Sequence, residues 1–161
     1  FRDGWFVLFT GSLFDAKYTG ADGMYRNADF NGRYAWNALA SKEWKLGTSF
    51  SLVTGAKCTM VGGRWYGGVD VEQSDQFREL VWDDATRNTR QFDDYFRFDL
   101  KTNLTWNRPS TTHELGIDWV NVLGTENVLK LTYAPDDASD TSVREEYQLG
   151  FLPIFFYRVD F

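Results

Sequence analysis

Phe96-Arg97-Phe98-Asp99-Leu100-Lys101-Thr102-Asn103-Leu104-Thr105-Trp106 is the stretch that decides the fold. Phe96, Phe98, Leu100, Thr102, Leu104 and Trp106 fall on one parity, and Arg97, Asp99, Lys101, Asn103 and Thr105 on the other. Successive side chains of a strand point to opposite faces, so this spacing makes one oily face and one wet face. A helix would scatter both sets around its circumference.

The same period recurs on either side. Phe50, Leu52, Thr54, Ala56, Cys58 and Met60 alternate with Ser49, Ser51, Val53, Gly55, Lys57 and Thr59. Leu115, Ile117 and Trp119 alternate with Glu114, Gly116 and Asp118, and Phe155, Tyr157, Val159 and Phe161 with Phe156, Arg158 and Asp160. The segments from Trp5 to Tyr18 and from Phe30 to Lys45 are also strand-like. The reading predicts six strands, roughly 4–18, 30–45, 48–61, 94–107, 112–133 and 144–161.

Short connections, near residues 45–48 and 107–111, alternate with long ones at 19–29, 62–93 and 134–143. Gly, Pro, Asn and Asp punctuate them. Short turns at one end and long loops at the other match a transmembrane β-barrel, and the strands exceed the five or six residues usual in soluble sheets. The expected fold is all-β: an antiparallel up-and-down transmembrane barrel of which these strands form a part.

Aromatic residues are 18% of the chain, which excludes disorder, and no stretch supplies the ~20 consecutive apolar residues of a spanning helix. The net charge of -6 argues against a nucleic-acid partner. Trp5, Trp44, Trp106 and Phe161 are expected at the short-turn end, and Tyr18, Phe30, Trp65, Tyr66, Tyr95, Phe96 and Tyr133 near the long-loop end. Two such sets suggest two interfacial girdles around a bilayer. Six strands fall short of the ~8 of the smallest bacterial barrels. Phe1-Arg2-Asp3-Gly4 leads straight into a strand like a turn cut open, so the chain reads as a fragment of a longer protein, without signal peptide.

The carboxy-terminal stretch from Glu145 through Gly150-Phe151-Leu152-Pro153 and Tyr157-Arg158 to the terminal Phe161 resembles the last strand of TonB-dependent outer-membrane receptors of the Bacteroidetes type. Thr10-Gly11-Ser12-Leu13-Phe14-Asp15-Ala16-Lys17-Tyr18 is similar to an upward strand of those receptors. Asn31-Gly32-Arg33-Tyr34 and Lys42-Glu43-Trp44-Lys45-Leu46-Gly47 resemble the next hairpin, and the run from His113 to Val122 resembles the penultimate strand, with Val122 in place of the usual Leu. The resemblance implies that residues 1–161 are the carboxy-terminal segment of a 22-stranded barrel in the outer membrane of a Gram-negative bacterium. It further implies an amino-terminal plug, absent from this chain, and active import of a nutrient such as a siderophore, oligosaccharide or peptide. The implied partners are the lipid bilayer, the rest of the barrel and its plug, the TonB complex through that plug, the barrel-assembly machinery and a surface lipoprotein. Phe155, Tyr157, Val159 and Phe161 resemble the terminal signal read by that machinery.

Catalysis finds little support, and no cofactor is expected. The one histidine, His113, has no nucleophile motif around it. Cys58 is expected on the oily face as a small hydrophobe, and it excludes an internal disulfide. Asp136-Asp137-Ala138-Ser139-Asp140 lacks the glycine and closing glutamate of an EF-hand and reads as a solvated loop, so no metal is expected. In Gly62-Gly63-Arg64-Trp65-Tyr66-Gly67-Gly68, the residues Arg64, Trp65 and Tyr66 are candidates to stack on a sugar or another ring, or to anchor the outer rim. Arg97, Asp99, Lys101, Asn103, Glu114, Asp118, Arg158 and Asp160 are expected to line a barrel lumen. Two alternatives stand beside the transporter: a soluble aromatic-rich carbohydrate-binding sheet, whose oily faces would close on another sheet, and an outer-membrane enzyme acting on lipids.

Overall fold

The computed structural model describes residues 3–135 and 142–161. The acidic run at 136–140 lies outside them. The chain is mostly β, with antiparallel sheets throughout. It opens with β1 (Trp5–Leu13), followed by the small hairpin β2 (Lys17–Thr19) and β3 (Tyr25–Asn27). The long strands β4 (Tyr34–Leu46) and β5 (Phe50–Val61) come next. Between β5 and β10 (Tyr95–Asn107) lie β6 (Trp65–Tyr66), β7 (Gly68–Val69), α1 (Val71–Phe77), β8 (Trp82–Asp83) and β9 (Arg90–Gln91). The chain ends through β11 (Thr112–Val120), the hairpin β12 (Val128–Tyr133) and β13 (Val143–Tyr147), and β14 (Leu152–Asp160).

One six-stranded sheet in the order β1-β4-β5-β10-β11-β14 organises the molecule. The six strands follow one another in chain order, as the alternation predicts. The sheet is open: β1 and β14 are its edges, and no strand bridges them among the described residues. β14 pairs with β11 alone, which leaves its other edge free among the described residues.

Three expected strands are corrected: the one predicted over 4–18 stops at Leu13, with Lys17–Thr19 pairing to β3 outside the sheet, and two more divide further along. The strand predicted over 112–133 stops at Val120. Asn121 adopts φ 51 and Gly124 φ 64, and the Asn121 side chain brackets the Thr125 peptide, donating to its carbonyl at 2.9 Å and accepting from its N–H at 3.1 Å. That loop throws β12 out of the sheet to pair with β13 instead. The strand predicted over 144–161 likewise divides, and only Leu152–Asp160 joins the sheet. Backbone punctuation at Asn121, Gly124 and Gly150 outweighs the apolar periodicity that continues past it. The long connection at 62–93 is also more ordered than a plain loop, with α1 capped by Asp70, whose carboxylate accepts from the Gln73 N–H at 2.9 Å.

The register fixes the faces. Trp5, Lys42, Thr54, Thr102, Ile117 and Phe155 form one cross-strand row. β1 begins on this row, whereas β14 runs five residues past it to Asp160. At the other end β14 begins in the row of Leu8, and β1 runs five residues past that to Leu13. The sheet is a parallelogram, its ends displaced by one residue at each strand-to-strand step. Gly4 and Asp3 carry φ 77 and φ 55, the positive φ at both central positions that a two-residue type I′ hairpin requires.

Among the described residues no hydrophobic side chain is buried. The buried side chains are polar: Asn31, Ser51, Ser74, Asn88, Asn103, Asn121 and Asn127.

Candidate functional site

Three surfaces share this scaffold. The first is the oily face. It carries Val7 and Phe9 of β1, Ala38 and Ala40 of β4, Ala56 and Cys58 of β5, Phe98 and Leu100 of β10, and Ile117 and Phe155 beyond them. At its short-turn end Phe50 and Trp106 stack with centroids 5.6 Å apart, Trp106 meets His113 at 5.5 Å, and His113 meets Tyr157 at 6.1 Å. This ring ladder crosses four strands. His113 also shares a 2.7 Å hydrogen bond between its Nδ1 and the Tyr157 hydroxyl. At the loop end the rings on this face include Tyr34, Trp36, Phe96 and Trp119.

The rings expected near the long-loop end fall in several places, with Phe96 on this face and Tyr133 in β12, outside the six-stranded sheet. Tyr95 lies on the opposite face by register, and Tyr18, Phe30, Trp65 and Tyr66 belong to the loops. Trp36 and Trp119 share the oily face with Phe96, and alternation along β4 and β11 is the signal that finds them. Phe155, Tyr157 and Val159 lie on the oily face of β14, and Phe161 follows, fully exposed.

The second surface is the charged face. Arg97, Asp99, Lys101, Asn103, Glu114, Asp118, Arg158 and Asp160 all lie on it. Its charges are cross-linked within the sheet. Arg97 bridges Asp99 at 3.0 Å, and the other Asp99 oxygen accepts from the Asn121 N–H at 2.9 Å. Glu114 takes the Asn103 amide on one oxygen and the Arg158 guanidinium on the other at 2.8 Å, and Arg158 also reaches Asp160 at 3.2 Å. Lys57, directly opposite Asp99, lies on this face too, as the alternation along β5 places it.

The third surface is the loop cluster above the β1–β4–β5–β10 end, and asparagines build it. Asn31 is fully buried; its carbonyl oxygen Oδ1 accepts from the Ala16 N–H at 2.8 Å, and its amide donates to Asp15 at 2.8 Å and Asn27 at 2.9 Å. Asn88 donates to the Asn27 carbonyl and to Asp29, each at 2.7 Å. Asn127 pairs with both the N–H and the carbonyl of Phe96 at 2.9 Å, taking the place of a strand neighbour. Gly32 and Gly62 cross so closely that a Cβ on Gly62 would sit 1.8 Å from the Gly32 oxygen.

Arg64, Trp65 and Tyr66 come together at a cavity of about 300 Å³ in this cluster, joined by Phe30, Trp82 and Phe92. Trp65 Nε1 donates to the Asn31 carbonyl at 2.8 Å, Tyr66 stacks on Phe92 at 4.1 Å, and the Arg64 guanidinium lies 5.7 Å from the Phe30 ring centre and 5.9 Å from that of Phe92 while donating to the Leu129 carbonyl. Phe30 and Trp82 keep their rings exposed. Asp84, Arg87 and Lys130 add both signs of charge, with Arg87 3.6 Å from Asp84 and Lys130 3.3 Å from Glu146. Such a cavity offers ring faces for stacking and a balanced polar rim. A more open hollow of about 770 Å³ shares its Asp29, Phe30, Asp84 and Arg87 wall. On its far side Arg26 grips Asp22 through two hydrogen bonds, 2.8 and 2.6 Å, and holds that carboxyl down at about 2. At the base of the same hairpin the Asp15 carboxyl is held below its ordinary value by Lys17 first and Asn31 second.

No family model matches the chain, and searches of curated proteins and of solved structures found no match.

Proposed function

We propose that the chain is a six-stranded arc of the transmembrane β-barrel of a TonB-dependent active transporter in a Gram-negative outer membrane, importing a nutrient. The observation that carries the reading is the uncovered oily face. A large apolar side chain gains roughly 1.5–3 kcal/mol when taken out of water, and here whole rows of them, from Trp5 to Tyr157, are left without a protein cover. Acyl chains would supply that cover. The soluble carbohydrate-binding alternative requires the same rows to close on a second sheet, and none of the described elements lies against them.

The stagger supports the same reading. A barrel needs tilted strands with a sheared register. One residue, about 3.3 Å, per strand spacing of about 4.8 Å gives a tilt of about 35°, inside the range of transmembrane barrels. Nine-residue strands such as β1 and β14 then rise about 24 Å, the height of the apolar band of an outer-membrane barrel. The free edges of β1 and β14 would pair with the remainder of the barrel, since unpaired backbone in lipid costs several kcal/mol per group. The type I′ conformation at Asp3-Gly4 suits a hairpin to a preceding strand. The charged face would line the lumen against a plug, and the ring-lined cavity would sit at the outer mouth.

The test uses the full-length protein that contains this chain. Reconstituted in liposomes, it should resist boiling-sensitive unfolding on gels, as folded barrels do. In cells, uptake of its nutrient should stop when TonB is deleted. A protein that stays in the aqueous phase, or uptake indifferent to TonB, overturns the reading.

A further inference from the structure

We infer that Lys42 forms a binding site for the phosphate group of a membrane phospholipid on the outward face of the sheet. The inference rests on the barrel reading above. Lys42 is the only formally charged side chain on the oily face of the six strands, sharing a row with Trp5, Thr54, Thr102, Ile117 and Phe155. Its ammonium lies 5.2 Å from the ring centre of Trp5 and 5.4 Å from that of Trp44. One of its three donors goes to the Asp3 carbonyl oxygen. Among the described residues no ion pair joins it to a carboxylate.

The stagger sets its depth. The short-turn boundary passes through Trp5 on β1 and descends one residue per strand, so on β4 it runs beside Glu43. Lys42 therefore sits where acyl chains give way to headgroups, flanked by indoles that favour the same level. A cation held between two rings on an otherwise apolar face fits an anion that arrives with the lipid, and a phospholipid phosphate satisfies the remaining donors without leaving the interface. Trp44 steadies the slot by donating its Nε1–H to Thr54 Oγ1 at 3.3 Å.

The experiment reconstitutes the full-length protein in nanodiscs of phosphatidylethanolamine with phosphatidylglycerol and counts the phospholipids retained after mild detergent extraction by native mass spectrometry. Lys42→Met should lower phosphatidylglycerol retention about five-fold, the worth of one interfacial cation. Lys42→Arg should preserve it. Lys45→Met, on the opposite face of the same strand, should leave it unchanged. Equal retention by wild type and Lys42→Met overturns the site alone, whereas failure of the wild type to insert overturns the barrel reading beneath it. Should Lys42→Met fail to fold, the wild type still decides: a phospholipid with a photoreactive headgroup should crosslink to 36–46 in preference to 152–161, and the reverse preference overturns the site.

Discussion

The sheet and the loop cluster solve opposite problems with the same chain. In the sheet, period two gathers every formal charge but Lys42 on one face, which also carries Phe6, Leu8, Leu39, Val53, Ile154 and Phe156, and of the sheet's side chains only Ser51 and Asn103 are buried. In the loop cluster the interior is made of asparagine, with Asn31, Asn88 and Asn127 replacing backbone partners that irregular segments lack. The difference teaches where each draws its stability. The sheet depends on its register and on whatever covers its faces. The cluster depends on satisfied polar groups, because a buried amide without a partner costs about 1–3 kcal/mol.

The largest effect should come from placing charge on the oily face. Leu100→Arg should destabilise the full-length protein in a bilayer by about 2–4 kcal/mol, while Val53→Arg on the charged face should change little. Denaturant unfolding in liposomes measures both. Equal losses would erase the distinction between the faces.

Next, Gly62→Ala presses a methyl group into the Gly32 backbone and should cost about 1–3 kcal/mol. The loss should be confined to the loops, so limited proteolysis should cut near 62–93 while the sheet keeps its strand signal in circular dichroism. The smallest effect concerns pH. Asp22 ionises more readily in the fold than its ordinary value of 3.8, through Arg26 first and the Met24 N–H second. A depressed carboxyl stabilises above its unfolded value and loses that contribution as pH falls through its folded one. Protection factors of the amides in 17–27, corrected for intrinsic exchange, should thus hold down to about pH 4 and fall towards pH 2, and Asp22→Asn should weaken that dependence.

The same contrast explains what the sequence revealed. Alternation along the strands was enough to order the six strands of the sheet and to put Arg97, Asp99, Lys101, Asn103, Glu114, Asp118, Arg158 and Asp160 on one face, because period two is a local signal. The glycine-rich run from Gly62 to Gly68 put Arg64, Trp65 and Tyr66 together in one loop. It could not find Trp82, Arg87 or Lys130 at the same cavity, since long-range hydrogen bonds from Asn31 and Asn88 bring those loops together. The divided strands at Asn121 and Gly150 show the converse: apolar periodicity continues where a side chain has already turned the backbone away.

The most direct test of the central claim is the accessibility of nitroxide labels along β10 in the reconstituted full-length protein, with Cys58 replaced by Ser. The account predicts that labels at 98, 100 and 104 collide with oxygen dissolved in the bilayer, while labels at 99, 101 and 103 collide with a water-soluble nickel chelate or are shielded by a plug. Labels at 98, 100 and 104 that are shielded from both reagents would place those residues in a closed protein core and contradict it.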